Sequence, residues 1–298
     1  MLGILLSFFV SGAKSVTDIF FKLASGKVDD DKVIVFFQRI IEASLAFLIF
    51  LSSYLFLNFI FTNSKNIFTF DFLCILLIGT FLGATAIYFN IKAFRNADAS
   101  LISPISQLTP AFLLFTSPLM VGDKVSFYGF TGVLLVVAGS YFLGMKNEHT
   151  TFLEPIKSLY KNTGVRYALL ASFIYAITSN IDKIAVTKTN PIVWTFTTGY
   201  LTAIFMLFMI RKNKSLSQVD KSNVLYLLVP GFTGGIGSIV QLYAITLLPV
   251  PYVISIKRTA SLFTVLYGVF VLKETEKRNK IIGAIFMVLG TLLILILG

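Results

Sequence analysis

Ten long stretches of the sequence consist almost entirely of apolar residues, and this feature restricts the chain to one class of structure. They extend along the whole chain and are separated by short segments rich in polar residues or helix breakers. A helix that crosses a bilayer needs about 20 mostly apolar residues, which each stretch supplies. We therefore predict membrane spans at residues 2–25, 33–61, 72–94, 99–121, 126–145, 165–187, 191–210, 223–247, 250–272 and 279–297.

The composition excludes most other classes of protein. Hydrophobic residues make up 56% of the 298 residues and charged residues only 13%, whereas a soluble domain has about 45–50% and about 25%. The net charge of +11 comes mostly from Lys and Arg in the short segments between spans. Such loop charges orient membrane proteins, and we expect no nucleic-acid partner.

The sequence offers no recognisable catalytic or metal site. The single histidine, His149, belongs to a polar linker, and the single cysteine, Cys74, belongs to an apolar stretch. A single cysteine cannot form an intramolecular disulfide, and one histidine with one cysteine cannot form a His/Cys zinc site. We expect no cofactor and no enzymatic activity.

The two halves of the chain resemble each other. The longest linker, residues 146–164, separates five predicted spans from five, which defines a first repeat at 1–145 and a second at 165–298. Residues 76–143 align without gaps on 227–294, with ten identities. Among them are the pairs Gly132/Gly283 and Gly139/Gly290. The first span of each repeat aligns separately, and this alignment pairs Asp18 with Asp182.

An odd number of spans per repeat has a topological consequence. After five crossings the chain has changed sides of the membrane, so the second copy runs upside down. Inverted repeats of this kind are typical of secondary transporters, with the substrate site near the midplane. The sequence therefore predicts an all-α membrane protein with ten transmembrane helices arranged as two inverted five-helix repeats.

Several motifs in this layout resemble a known transporter family. They are LIGTFLGATAIYFNIKAF in the third span, GVLLVVAGSYFL in the fifth, YAITSNIDKIAV in the sixth and PYVISIKRTASLFTVLYGVFVLKE across the ninth. Acidic residues, Asp123 and Glu274, close the fourth and ninth spans. The chain resembles the drug/metabolite transporter superfamily in its ten-helix, EamA-like branch. The resemblance implies a transport function; many members have Pro in the ninth helix where this chain has Lys257 and Arg258.

Ionisable and amide side chains within the spans are candidates for a substrate pathway. Each ionisable group costs about 2.5–3.5 kcal/mol at the bilayer centre, so such groups face the bundle interior, pair or line a water-filled path. Two interpretations of Asp18 and Asp182 remain open: a place in the pathway, or internal ion pairing such as Lys14–Asp18. The candidate pathway residues are Lys14, Asp18, Tyr88, Asn90, Gln107, Asp182, Gln241, Tyr243, Lys257 and Arg258.

The deep charges favour an anionic substrate. Lys257 and Arg258 are adjacent in the ninth span, so an inward cation pair can hold a carboxylate or phosphate, or neutralise the aspartates. Arg39 and Glu42 are predicted to pair structurally within the second span. Lys92 and Lys183 lie near span ends, from which they can reach the membrane surface.

These observations predict a secondary transporter that moves a small polar metabolite by alternating access. The substrate class is an amino acid or an organic or phosphorylated anion, with protons as a candidate coupling ion. The expected setting is the plasma membrane, as a monomer or homodimer in the lipid bilayer. The alternatives are a lipid or lipid-linked-sugar flippase of similar fold and a less favoured membrane-embedded transferase.

The loop charges predict the orientation of the chain. Loops that follow odd-numbered spans carry fifteen Lys and Arg residues, against three in the others. The positive-inside rule places the odd loops in the cytoplasm and both termini outside, whereas the resembling family usually has cytoplasmic termini. In a Cys74→Ser background, we expect intact-cell labelling of a cysteine at Ser64 and protection of one at Thr150. The reverse labelling pattern contradicts the prediction.

Overall fold

The chain forms a bundle of helices. The computed structural model describes residues 1–28, 30–57, 69–97, 99–144, 162–210, 219, 224–262 and 278–298, and these form eleven helices and no strand. The predicted linker up to residue 161, His149 and Glu274 lie outside the described residues. The helices are α1 (Leu2–Ser25), α2 (Asp31–Leu57), α3 (Phe70–Asn96), α4 (Ala99–Ser106), α5 (Thr109–Val121), α6 (Phe127–Gly144), α7 (Thr163–Lys188), α8 (Pro191–Met209), α9 (Val224–Leu247), α10 (Val250–Arg258) and α11 (Arg278–Leu297).

Seven segments of the described chain are long and apolar enough to cross a membrane. They are α1, α3, α7, α8, α9, most of α2, and α4 with α5 taken together as Leu101–Val121. The apolar parts of α6 and α11 are shorter, at Phe127–Leu143 and Ile281–Leu297. The predicted ninth span begins as α10, and its residues 263–272 lie outside the described residues. The count of ten spans stays a prediction.

The fourth predicted span is two helices rather than one. Pro110 lies in the first turn of α5 and has no N–H with which to bond the carbonyl of Ser106. At this junction the hydrogen bonds join residues three apart instead of four. The N–H of Gln107 donates to the carbonyl of Pro104 (3.2 Å), and the N–H of Leu108 donates to the carbonyl of Ile105 (3.1 Å). The break places Gln107 on a short non-helical turn within the bundle.

Helix packing follows the two repeats. In span order, the first packs on the eighth (α1 on α9), the third on the sixth (α3 on α7) and the second on the seventh (α2 on α8). The fifth packs on the tenth (α6 on α11) and part of the fourth on part of the ninth (α5 on α10). Exchanging each span with the one five places later reproduces the same set of pairs. The two halves are therefore related by an approximate two-fold exchange.

The α6–α11 contact depends on glycine. A Cβ atom at Gly132 would lie 2.7 Å from the carbonyl oxygen of Gly290, and one at Gly139 would lie 2.6 Å from that of Gly283. The later residue of α6 thus meets the earlier residue of α11, so the two helices run antiparallel. Small residues permit this close approach of two backbones.

The outer surface of the bundle is apolar. Leu119, Phe127 and Phe208 are among its most exposed side chains, at 86%, 79% and 84%. Contiguous apolar surface of this kind is typical of a protein that faces lipid. Polar side chains gather inside the bundle instead, around the cavity described next.

Candidate functional site

A central cavity of about 610 Å³ lies between the two repeats. Of the helices that the structure describes, all but α11 contribute side chains to its wall. The lining contains charged, amide and hydroxyl groups, which contrasts with the apolar exterior of the bundle.

Eight of the ten predicted pathway residues line this cavity. They are Lys14, Asp18, Asn90, Gln107, Asp182, Gln241, Lys257 and Arg258. Their contact with a substrate stays a prediction. Buried amide oxygens of Asn90 and Gln107 have no hydrogen-bond partner among the described residues. A buried polar atom without a partner is costly, so these two oxygens are available to a bound solute or water.

Tyr88 and Tyr243 lie outside the cavity lining, which corrects their predicted position. The ring of Tyr88 lies under the ammonium of Lys92, 4.6 Å from Nζ to the ring centroid. Tyr243 is 40% exposed on the bundle surface. Each tyrosine is two residues away from a lining amide, Asn90 or Gln241. Residues two apart on a helix point about 200° from each other, so only one of them faces the cavity.

The two repeat-related aspartates have different partners. Lys14 Nζ donates to Asp18 Oδ1, so the predicted ion pair is present, and both residues also line the cavity. Asp182 accepts a hydrogen bond from Trp194 Nε1 at 2.7 Å. No basic side chain pairs with Asp182 in the described part of the chain.

The Arg39–Glu42 pair is present as predicted, but it also belongs to the cavity wall. Arg39 Nη1 donates to Glu42 Oε2 at 3.0 Å, and Ser238 Oγ donates to Glu42 Oε1. Glu42 is only 2% exposed. The sequence predicts only a structural pair here, because the seventh span has no charges at the matching places. The bond from α9 to α2 was not detectable from either helix alone.

Among the described residues, neither cation of the ninth span forms an ion pair with a carboxylate. Lys257 Nζ donates to Gln241 Oε1 at 2.5 Å, which joins two predicted residues. The Arg258 guanidinium makes no hydrogen bond or ion pair with the residues that the structure describes, and Asp18 acts electrostatically on both cations. A planar guanidinium without a partner in a polar cavity can bind two oxygens of a carboxylate or phosphate.

A third ion pair involves Lys183, the residue after Asp182. Lys183 Nζ pairs with Asp123 Oδ1, and their side chains are 15% and 7% exposed. Asp123 Oδ2 also accepts from Ser117 Oγ (2.5 Å) and from the N–H of Val250 (2.8 Å). Lys183 had been predicted to reach the membrane surface. The observed pair instead joins α7 to the end of α5 and to the α9–α10 junction.

Comparison with known families decides the classification. The model of the EamA-like transporter family matches residues 1–145 and 162–296, nearly the whole chain. The chain belongs to this family. As an EamA-like transporter it is an integral multi-pass membrane protein, and the family carries small molecules across membranes. The predicted resemblance to the drug/metabolite transporter superfamily is confirmed.

Structural comparison supports the EamA-like fold. A crystal structure of another protein superposes on the chain with a TM-score of 0.72 and 14% identity. The match covers 98% of this chain and 95% of the other. At this identity the similarity concerns the fold alone. No curated protein matches the sequence.

Proposed function

We propose that this EamA-like protein is a secondary transporter for a small metabolite that carries a carboxylate or phosphate. The observation that carries the proposal is the pair of cavity cations, Lys257 and Arg258, which have no carboxylate partner in the described chain. The plasma membrane is the expected location of this transport.

The charge balance of the cavity favours an anionic group. Its described lining carries four cations and three carboxylates. Two of the carboxylates are neutralised within their own helices, by Lys14 and Arg39. Lys257 and Arg258 then have no carboxylate of their own in the described chain: Asp18 acts on both, and Asp182 on Lys257, without an ion-pair contact. Unpaired charge is costly in a site shielded from water, and a substrate anion relieves that cost.

The size and lining of the cavity support a small polar solute. Binding sites for small molecules have volumes of about 300–1,000 Å³, and this cavity falls within that range at about 610 Å³. The charged lining is less suited to the acyl chains of a lipid, which the alternative flippase function requires.

The helix pairing supports alternating access. The antiparallel contact of α6 and α11 relates the repeats by an axis perpendicular to those helices. An axis in that direction lies in the membrane plane, as in transporters built from inverted repeats. In such proteins one repeat rocks against the other around a fixed site.

Arg258→Lys is expected to weaken anion binding at least about tenfold, because it keeps the charge but loses the two-oxygen geometry. Lys257→Ala is expected to weaken it too. Calorimetry on the purified protein should compare carboxylates, phosphate monoesters, amino acids and hydrophobic cations. Lys92→Ala is the matched control, since Lys92 lies outside the cavity lining. Preferential binding of hydrophobic cations, unaffected by either substitution, contradicts the proposal.

Asp182→Asn is expected to abolish proton-driven uptake. The reason is that a neutral amide cannot carry a proton through the cycle. Proteoliposomes loaded with the best ligand from calorimetry, with and without a pH gradient, make the measurement. Full gradient-driven uptake in both Asp182→Asn and Asp18→Asn assigns the carboxylates a structural role. Movement of a fluorescent lipid, without solute uptake, favours the flippase.

A further inference from the structure

The Asp182 end of the cavity has a chemistry opposite to that of Lys257 and Arg258. Asp182 uses one carboxylate oxygen for Trp194 and has no basic partner among the described residues. Its repeat counterpart, Asp18, is already neutralised by Lys14. The two equivalent carboxylates therefore have different surroundings: Asp18 has an ion-pair partner, whereas Asp182 has none among the described residues and interacts with Lys257 and Arg39 only at longer range.

Three hydroxyl groups that line the cavity with Asp182 use their protons within their own helices and so offer acceptors to the cavity. Thr178 and Ser179 lie one turn before Asp182 on α7, and Thr198 lies one turn after Trp194 on α8; all of them line the cavity. Each donates its single proton to a main-chain carbonyl of its own helix, at 3.1, 2.8 and 2.6 Å respectively. A hydroxyl that has donated its proton offers lone pairs alone. Trp194 N–H is likewise already committed to Asp182.

We propose that Asp182 and these three hydroxyls form a binding site for a monovalent cation. A carboxylate that shares a cavity wall with acceptor hydroxyls suits a group that brings its own positive charge and either N–H donors or a need for oxygen ligands. Two sources share this chemistry: the ammonium group of a substrate and a free alkali ion. The inference rests on the proposed function, because it assigns a second subsite in the same cavity.

The two subsites together define a class of substrate. With the anion at Lys257 and Arg258 and an ammonium at Asp182, the preferred substrate is a zwitterion. A dicarboxylate or a phosphate monoester without an amine leaves Asp182 unsatisfied. If the alkali ion is the occupant, Asp182 is instead the coupling site and the substrate needs only its anionic group.

Trp194 provides a direct reporter of this site. It is the only tryptophan in the chain, its ring is 2% exposed, and its N–H bonds the carboxylate in question. A cation that binds Asp182 changes the field and the hydrogen bond at the indole. Emission from the intact protein therefore reports occupancy without knowledge of the natural substrate.

The experiment titrates the purified full chain in detergent with methylammonium chloride, sodium chloride or choline chloride at matched ionic strength. We expect a saturable change in Trp194 emission with methylammonium or sodium and none with choline, whose bulky head has no N–H. Asp182→Asn should shift half-saturation at least about tenfold. Thr198→Val, which keeps the charge and the shape, should shift it in the same direction. Asp71→Asn, an exposed carboxylate outside the cavity lining, is the matched control.

Each outcome has a defined meaning. A response to methylammonium alone assigns the site to a substrate ammonium, and a response to sodium alone assigns it to a coupling ion. No saturable response in the wild type, or an unchanged one in Asp182→Asn, overturns the inference. In that case loss of anion binding in Arg258→Lys still upholds the proposed function. The converse result, a cation response without an anion effect, upholds the cation site and refutes the anion site.

Discussion

Lys183→Met is expected to lower the free energy of unfolding by about 3–5 kcal/mol, since it leaves Asp123 as an unpaired charge at a site with little access to solvent. The Asp123 side chain is only 7% exposed. The substitution also frees the carbonyl of Leu248, which Lys183 Nζ reaches at 3.2 Å. Denaturation of the purified protein in micelles, followed by helical circular dichroism, measures the effect.

Two further variants test the cause of that loss. Adding Asp123→Asn to Lys183→Met removes the orphan charge while it keeps an acceptor for Ser117 and Val250, so part of the stability should return. Lys188→Met, at an exposed position near the end of α7, is the matched control. Equal stabilities for Lys183→Met and Lys188→Met refute a stabilising ion pair.

Gly139→Ala is expected to destabilise the α6–α11 contact by about 3 kcal/mol, at the upper end of the range for overpacking. The new methyl group would lie 2.6 Å from the Gly283 carbonyl oxygen and 2.7 Å from the Met287 nitrogen. Both obstacles are backbone atoms, so the helices themselves must separate. Thermal unfolding in micelles measures the change.

Gly12→Ala is the matched control, because a Cβ at this helical position meets nothing within 4 Å. Alanine is a better helix former than glycine, so this variant should be as stable as the wild type or slightly more so. If Gly139→Ala and Gly12→Ala unfold at the same temperature, α6 and α11 do not approach as closely as described.

Hydropathy predicts most of the fold, because few structures other than long apolar helices satisfy all backbone hydrogen bonds inside a bilayer. The break in the fourth span was missed, although Pro104 and Pro110 are its direct signal. Charged cavity residues were found because charges are rare inside membranes. The sequence does not single out Thr178 and Thr198, since hydroxyl side chains occur throughout such helices and donate hydrogen bonds to their own backbone.

Contacts between distant segments and the rotation of side chains about the helix axis account for the remaining errors. Lys183 was placed at the membrane surface because it lies near a span end, and only the fold brings Asp123, sixty residues earlier, within reach. Tyr88 and Tyr243 were chosen for their chemistry, while their rotation about the helix axis was left out of account. Once Asn90 and Gln241 are placed on the cavity side of their helices, the helical repeat alone directs Tyr88 and Tyr243 away from the cavity.

The Asp123–Lys183 pair has a consequence for the proposed alternating-access cycle. In the repeat alignment Asp123 corresponds to acidic Glu274, but Lys183 corresponds to apolar Ile19. The sequence therefore provides no lysine at the repeat-related position. In the proposed cycle, an ion pair that is kept in only one conformation favours that conformation, with a tenfold bias for each ~1.4 kcal/mol. The proposed carrier then has a preferred resting conformation, and a ligand reverses that preference only by binding the opposite conformation more tightly.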